Sequence, residues 1–197
     1  MESSSMKIFR CAVLLLAAFL LVPGLALADN HEEKVEKKEM KEMAADMEMH
    51  GFHKDLMANF EDAEKKLIDL AEAIPADKFS WRPAEGVRSV SETLMHVAGA
   101  NYFFGGRFGA EVPENVRELE KITEKEKVME TLKASFAETK KAMKSTVDAD
   151  LDEMHELPFG KFSSRSILLL LATHAHEHLG QTIAYARSNG VVPPWSQ

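Results

Sequence analysis

Cysteine is nearly absent from this chain of 197 residues, in which Cys11 is the single one. Cys11 lies in an N-terminal apolar stretch that we expect to be removed from the mature protein. The mature protein then has no disulfide, no thiolate metal ligand and no cysteine nucleophile. A metal site in its folded part must therefore rely on histidine and carboxylate ligands, and the chain has eight histidines.

An excess of basic residues is also missing. The chain has 24 Lys and Arg against 32 Asp and Glu, a formal net charge of −8. Without residues 1–28 the balance is 22 to 31, a net charge of −9. Such a surface repels phosphate backbones and anionic lipids, so nucleic acid is not an expected partner.

Long apolar segments are limited to residues 11–22, which fall short of the ~20 residues that a membrane-spanning helix needs. Lys7 and Arg10 precede this segment, and small residues ending at Ala28 follow it. The pattern predicts a signal peptide at 1–28, cleaved before Asp29, and an exported protein, periplasmic or secreted, with no stable membrane span after cleavage. A retained membrane anchor is the alternative.

Residues 29–51 form a charged, methionine-rich extension ahead of the predicted domain at 52–197. Its mixed charges are typical of a solvated helix or a disordered tail. Its methionines at 40, 43, 47 and 49, together with His50 and His53, are candidate ligands for a soft metal such as Cu(I). The alternative is that they fill gaps on a weakly amphipathic helix.

The rest of the chain has no strand-like alternation of useful length and no internal repeat, but it shows helical periodicity in four segments. We predict an all-α fold, a four-helix bundle with helices at 52–74, 89–106, 123–147 and 163–189 and a loop at 148–162. Ser89 with Glu92, and Thr123 with Glu126, have the spacing of capping boxes.

Three histidines could come together in such a bundle. His174 and His178 are four residues apart and share a helix face, whereas His176 points elsewhere. His96 on the second helix is followed after one turn by Gly99 and Ala100. This stretch of small residues favours either an open volume beside the imidazole or close packing of two helices.

Imidazoles on a core-facing stripe need partners, which can be hydrogen bonds across the bundle or a metal ion. Three imidazole ligands would leave coordination positions open, as in catalytic sites, and they suit Zn²⁺ or Ni²⁺, Fe²⁺ and Cu²⁺. Glu92 and Gln181 each lie one turn from a candidate ligand and are candidate catalytic or orienting residues. The alternative for Glu92 is that it only caps its helix.

Two segments, SVSETLMHVAGAN around His96 and HAHEHLGQTIAYARSNGVVPPW, resemble the DinB-like superfamily of metal-binding four-helix bundles. The stretch FSWRPAEGVRSV is similar to that family's loop before the second helix. The resemblance implies an up-down-down-up bundle with a divalent metal held by His96, His174 and His178. Among the possible ions we expect Zn or Ni. The resemblance also implies that Gly180 permits tight packing beside the last ligand and that Gln181 closes the motif. Characterised relatives include transferases and isomerases that use low-molecular-weight thiols.

These observations support three hypotheses. The first is a metal-dependent transferase or hydrolase that activates a thiol or water toward a small molecule in a cavity lined by Tyr185, Tyr102 or Phe103. The second is a non-enzymatic exported protein that binds a metal or small ligand. In the third, the histidines only stabilise the bundle or a dimer. A homodimer could use Phe103, Phe104 and Phe108, although core packing also explains these residues.

Overall fold

The computed structural model describes residues 51–146 and 150–196. The predicted signal peptide and, apart from Gly51, the methionine-rich extension lie outside the described residues. Four helices account for most of the described chain: α1 (Gly51–Ala73), α2 (Val90–Gly105), α3 (Lys125–Lys144) and α4 (Ser164–Ser188). A short antiparallel hairpin, β1 (Met154–Leu157) and β2 (Gly160–Ser163), precedes α4.

The two central helices, α2 and α3, lie side by side and run parallel. Asn101 Nδ2 donates to Ser135 Oγ over 3.1 Å, and Thr139 Oγ1 donates to the Asn101 carbonyl over 3.0 Å. One turn further on, a Cβ on Gly105 would lie 2.8 Å from Thr139 Oγ1. The absence of a side chain at this glycine therefore lets α2 approach α3 closely.

The outer helices, α1 and α4, run opposite to this pair. Phe60 near the start of α1 packs on Phe136 in the second half of α3, with ring centroids 5.0 Å apart. At the other end, Lys125 at the start of α3 donates to the Glu72 carbonyl over 2.8 Å. Arg165 at the start of α4 lies over the ring of Phe52 at the start of α1, and His176 further along α4 lies 3.1 Å from the Asn59 carbonyl, so α4 runs parallel to α1. The order is up-down-down-up.

The core forms where the apolar stripes of the four helices meet. Its largest fully buried side chains include Phe60, Leu67, Leu94, Phe136, Met143 and Ile167. Phe104 and Phe108, two of the three candidates for a dimer surface, are buried in this core, whereas Phe103 is 36% exposed. In the described part of the chain, no helix is apolar enough over sufficient length to cross a membrane.

The first predicted capping box is confirmed and the second is wrong. Ser89 Oγ accepts from the Glu92 N–H, and Glu92 Oε2 accepts from the Ser89 N–H over 2.7 Å. Helix α3 instead has Glu124 as its N-cap, without a side-chain cap. This shift of one residue places Glu126 at the second helical position, where it does not complete a box with Thr123.

The prediction that residues 148–162 form only a loop is also wrong, since β1 and β2 pair there from Met154–Ser163 to Leu157–Gly160. Each strand has four residues, which is too short for alternation to be recognised in the sequence. Gly160, with φ at 143°, provides the backbone conformation that ends the turn.

We predict that Ser89→Ala lowers the free energy of unfolding by about 1 kcal/mol, because the helix loses its side-chain cap. Thr123→Ala is the matched control and should change it by no more than a few tenths of a kcal/mol. Urea denaturation of both variants measures the difference. Equal effects of the two substitutions would contradict the assignment of Ser89 as a cap.

Candidate metal centre

Three histidines from two helices meet between α2 and α4. His174 Nε2 lies 3.2 Å from His96 Nε2 and 3.2 Å from His178 Nε2. One nitrogen from each ring can be chosen so that all three lie within 4.8 Å of one another. His176 points away and lies 3.1 Å from the Asn59 carbonyl on α1. The structure thus brings together the three residues predicted from the sequence and separates the fourth from them.

Hydrogen bonds on the far side orient two of the rings. His96 Nδ1 lies 3.2 Å from Glu120 Oε1, and Glu120 Oε2 accepts from Arg88 Nε over 3.1 Å. Since a carboxylate accepts hydrogen bonds, the proton of the neutral His96 ring belongs on Nδ1. The lone pair of His96 Nε2 then faces the other histidines.

His178 is oriented by a second chain of contacts. Its Nδ1 lies 2.7 Å from Gln181 Oε1, and Gln181 Nε2 donates to Tyr185 Oη over 2.7 Å. The ring of Tyr185 packs edge-on against Trp81, with centroids 5.4 Å apart. Because the amide donates to tyrosine through nitrogen, its oxygen is the acceptor for His178 Nδ1–H. The Nε2 lone pair of His178 also faces the cluster.

This arrangement fits a divalent metal ion. With lone pairs on His96 and His178, a proton on His174 Nε2 can serve only one of the two 3.2 Å contacts. The other contact then leaves a lone pair without a donor. A cation satisfies all three, and Zn–N bonds of 2.0–2.1 Å in a tetrahedral site place nitrogens about 3.4 Å apart. Two of the three nitrogen–nitrogen distances are close to this value and the third is at most 4.8 Å, so the arrangement and the donor chemistry fit a metal bound by three imidazoles.

Burial keeps two of the rings ready to bind a cation. Desolvation, followed by the positive charge that His178 carries when protonated, lowers the pKa of His174 to about 4. Desolvation and the Arg88 guanidinium also lower the pKa of His96, although Glu120 opposes this effect. Both rings are consequently neutral near pH 7, which is the form that binds metals.

A cavity of about 970 Å³ opens on one side of the cluster, and His96 and His174 form part of its wall. Gly99 and Ala100 also line it, and a Cβ on Gly99 would meet no atom within 4 Å. The small residues after His96 therefore leave open space, which decides between the two alternatives for this stretch. Tyr102 and Phe103 line the cavity as expected, whereas Tyr185 contacts Gln181 instead.

The other candidate residues have different places. Glu92 accepts from the Ser89 N–H and from Arg82 over 2.9 Å, so it caps α2. The Ser89 N–H is the main cause of its lowered pKa. The expectation that Gly180 permits tight packing is wrong. This residue is exposed, and a Cβ there would meet no atom within 4 Å, because position 180 lies away from the His178 face.

Sequence reasoning missed Glu120, the residue that contacts His96. It lies in a 3-10 turn, Val116–Lys121, within the long connection between α2 and α3. Helical spacing relates residues along one helix and therefore gave no reason to select a carboxylate 24 positions from His96. The buried Leu119 is the anchor that packs this turn on the bundle.

Comparisons with known proteins identify the family and agree with the fold. The model of the DinB superfamily matches residues 59–182. A DinB-like protein from Bacillus cereus has a similar structure, with a TM-score of 0.62 and 16% identity over 71% of this chain and 93% of the other. A DinB-like protein from Bacillus subtilis has a TM-score of 0.59 and 22% identity over 73% of this chain and 97% of the other. No curated protein matches the chain.

We predict that the metal-free protein loses stability as the pH falls from about 6.5 toward 4. In this window the unfolded chain binds a proton at position 174, whereas the folded chain, with the pKa of His174 at about 4, does not. His174→Asn should flatten this part of the profile of unfolding free energy against pH, measured by urea denaturation. Parallel profiles for the two proteins would contradict the burial of a neutral imidazole.

Proposed function

Because this chain belongs to the DinB superfamily, we propose that it binds one divalent metal ion through His96, His174 and His178 and acts on a small molecule there. Zn²⁺ and Ni²⁺ are the proposed ions, since both accept imidazole nitrogen. We further propose that the protein is exported and that the activity is a transfer or hydrolysis with a thiol or water as the nucleophile.

The observation that carries the proposal is the convergence of Nε2 lone pairs, with 3.2 Å between His174 and each neighbour. Leaving one such contact unsatisfied in a desolvated site would cost about 1–3 kcal/mol. A structural metal site usually has four protein ligands, whereas this group has three. The open side supports a site that also takes a ligand from solution.

A bound divalent ion would lower the pKa of a thiol or water that coordinates it. The chain's own contribution is orientation. Glu120 and Gln181 hold the Nδ1 protons of His96 and His178, which keeps both Nε2 atoms available. Glu120 also lines the cavity and is 43% exposed at its side chain, so it can accept a proton from a nucleophile bound there.

Metal content tests the first part of the proposal. The purified protein should hold about one divalent ion per chain, and His96→Ala and His178→Ala should each lower this more than tenfold, because two imidazoles hold such an ion weakly. Inductively coupled plasma mass spectrometry measures the content.

His176→Ala is the matched control, because it removes a histidine of the same helix that points to Asn59. Its metal content should equal that of the unchanged protein. Unaltered metal in His96→Ala and His178→Ala would instead mean that the histidines only stabilise the bundle.

The alternative function is a non-enzymatic protein that binds a metal or ligand. It is favoured by the scarcity of carboxylates at the cavity, since Glu120 is the single one among its described lining residues. Deletion of residues 29–50 should weaken metal uptake only in this alternative, where the methionines contribute.

Turnover distinguishes the two functions. The metal-loaded protein should convert members of a panel of electrophiles in the presence of low-molecular-weight thiols. Gly99→Leu should reduce the rate at least tenfold with its metal content unchanged, because leucine extends into the open cavity. No turnover across the panel would favour the binding protein.

A further inference from the structure

The cavity beside the histidines is mostly apolar and extends along α2. It follows α2 from His96 past Gly99 and Phe103 to Arg107, just beyond the end of the helix at Gly105. At a rise of 1.5 Å per residue, the distance from His96 to Gly105 along the helix is roughly 14 Å. A volume of about 970 Å³ is at the upper end of the range for small-molecule sites.

The mouth of the cavity exposes apolar side chains. Phe103, Val112 and Phe159 line it and are 36%, 45% and 59% exposed. Phe103 and Phe159 face each other with ring centroids 6.3 Å apart. Apolar side chains exposed together at a cavity are typical of a surface that covers an apolar ligand.

Basic side chains are also concentrated there, although the protein as a whole carries a net charge of −8. Arg107 and Arg117 line the cavity, and Arg107 Cζ lies 5.5 Å from the centroid of the Phe103 ring. Among the residues that the structure describes, neither arginine forms an ion pair, whereas Arg82, Arg88 and Arg165 each pair with a carboxylate.

We propose that this cavity binds an elongated apolar molecule that ends in a carboxylate. Its apolar body lies along α2 over Gly99 and Phe103, and its carboxylate contacts Arg107 and Arg117. The other end then reaches the three histidines. The inference rests on the proposed function, because this molecule would be the substrate or ligand of the proposed metal site.

The charges at this end of the cavity fit a carboxylate. Two guanidinium groups offer planar pairs of N–H donors that match carboxylate oxygens. Glu120 lines the same cavity, but its carboxylate pairs with Arg88 over 3.1 Å. Lys121 already pairs with Glu118 over 3.2 Å, which leaves the two arginines as the anion contacts.

The test uses decanoate as the probe and isothermal titration calorimetry with the full chain. Decyltrimethylammonium, which has the same apolar chain and the opposite charge, should bind at least tenfold more weakly. The double substitution Arg107→Gln and Arg117→Gln should weaken decanoate binding at least tenfold. Arg187→Gln, which removes an arginine at the far end of α4, is the matched control and should leave binding unchanged.

Gly99→Leu tests the position of the apolar body. Leucine favours a helix more than glycine does, and a Cβ at position 99 meets no atom within 4 Å, so the variant should fold. It should abolish decanoate binding. Any of three results would overturn the proposal. These are an unchanged decanoate affinity in the double variant, equal affinities for decanoate and decyltrimethylammonium, and an unchanged decanoate affinity in Gly99→Leu.

Metal analysis of the same samples separates the two proposals. Metal-loaded protein without arginine-dependent decanoate binding would overturn the inference about the ligand and leave the metal site intact. Arginine-dependent binding by protein that takes up no metal would support the inference and overturn the proposed metal function.

Discussion

The fold has to hold three imidazoles close together and partly out of water, with the Nε2 atoms of His96 and His178 each 3.2 Å from His174 Nε2. When all three rings are uncharged, at least one of these contacts lacks a hydrogen bond, whereas a cation among them satisfies every nitrogen. Burial disfavours a proton as that cation. The lowered pKa of His174 shows the same effect, because burial disfavours the protonated ring. The ring therefore stays neutral, which is the form that binds a metal ion. Pairing of α2 with α4, and the loops around them, maintain this arrangement.

Two separate chains of contacts orient the rings of His96 and His178, and both include the segment that precedes α2. Trp81 supports Tyr185, which holds Gln181 against His178. Arg88 holds Glu120 against His96. The backbone of the segment is fixed to the start of the helix, where the Val90 N–H donates to the Trp81 carbonyl over 3.0 Å. The side chains of this loop therefore orient the histidines from outside the cluster.

The sequence predicted what depends on helical spacing and missed what depends on tertiary contacts. The stripe from Leu56 to Ile74 and the Ser89 cap gave α1 and the start of α2, and the four-residue step gave His174 with His178. Thr123 failed as a cap because a one-residue shift in the start of α3 decides the register, and Lys125 contacts the end of α1 there. Glu120 could not be selected because a 3-10 turn in a long connection brings it to His96.

The histidine cluster has one closed and one open side, and this asymmetry separates two roles. Gln181, Tyr185 and Trp81 close the side of His178, which is 9% exposed. The other side opens past Gly99 into the cavity, so the cluster is accessible from the face of α2. Substitutions on the closed side can therefore change the orientation of the imidazoles without altering the cavity wall. Residues beyond Gly99 can change the cavity wall without altering the three histidines, so the shape of the cavity and the geometry of the cluster are set by different side chains.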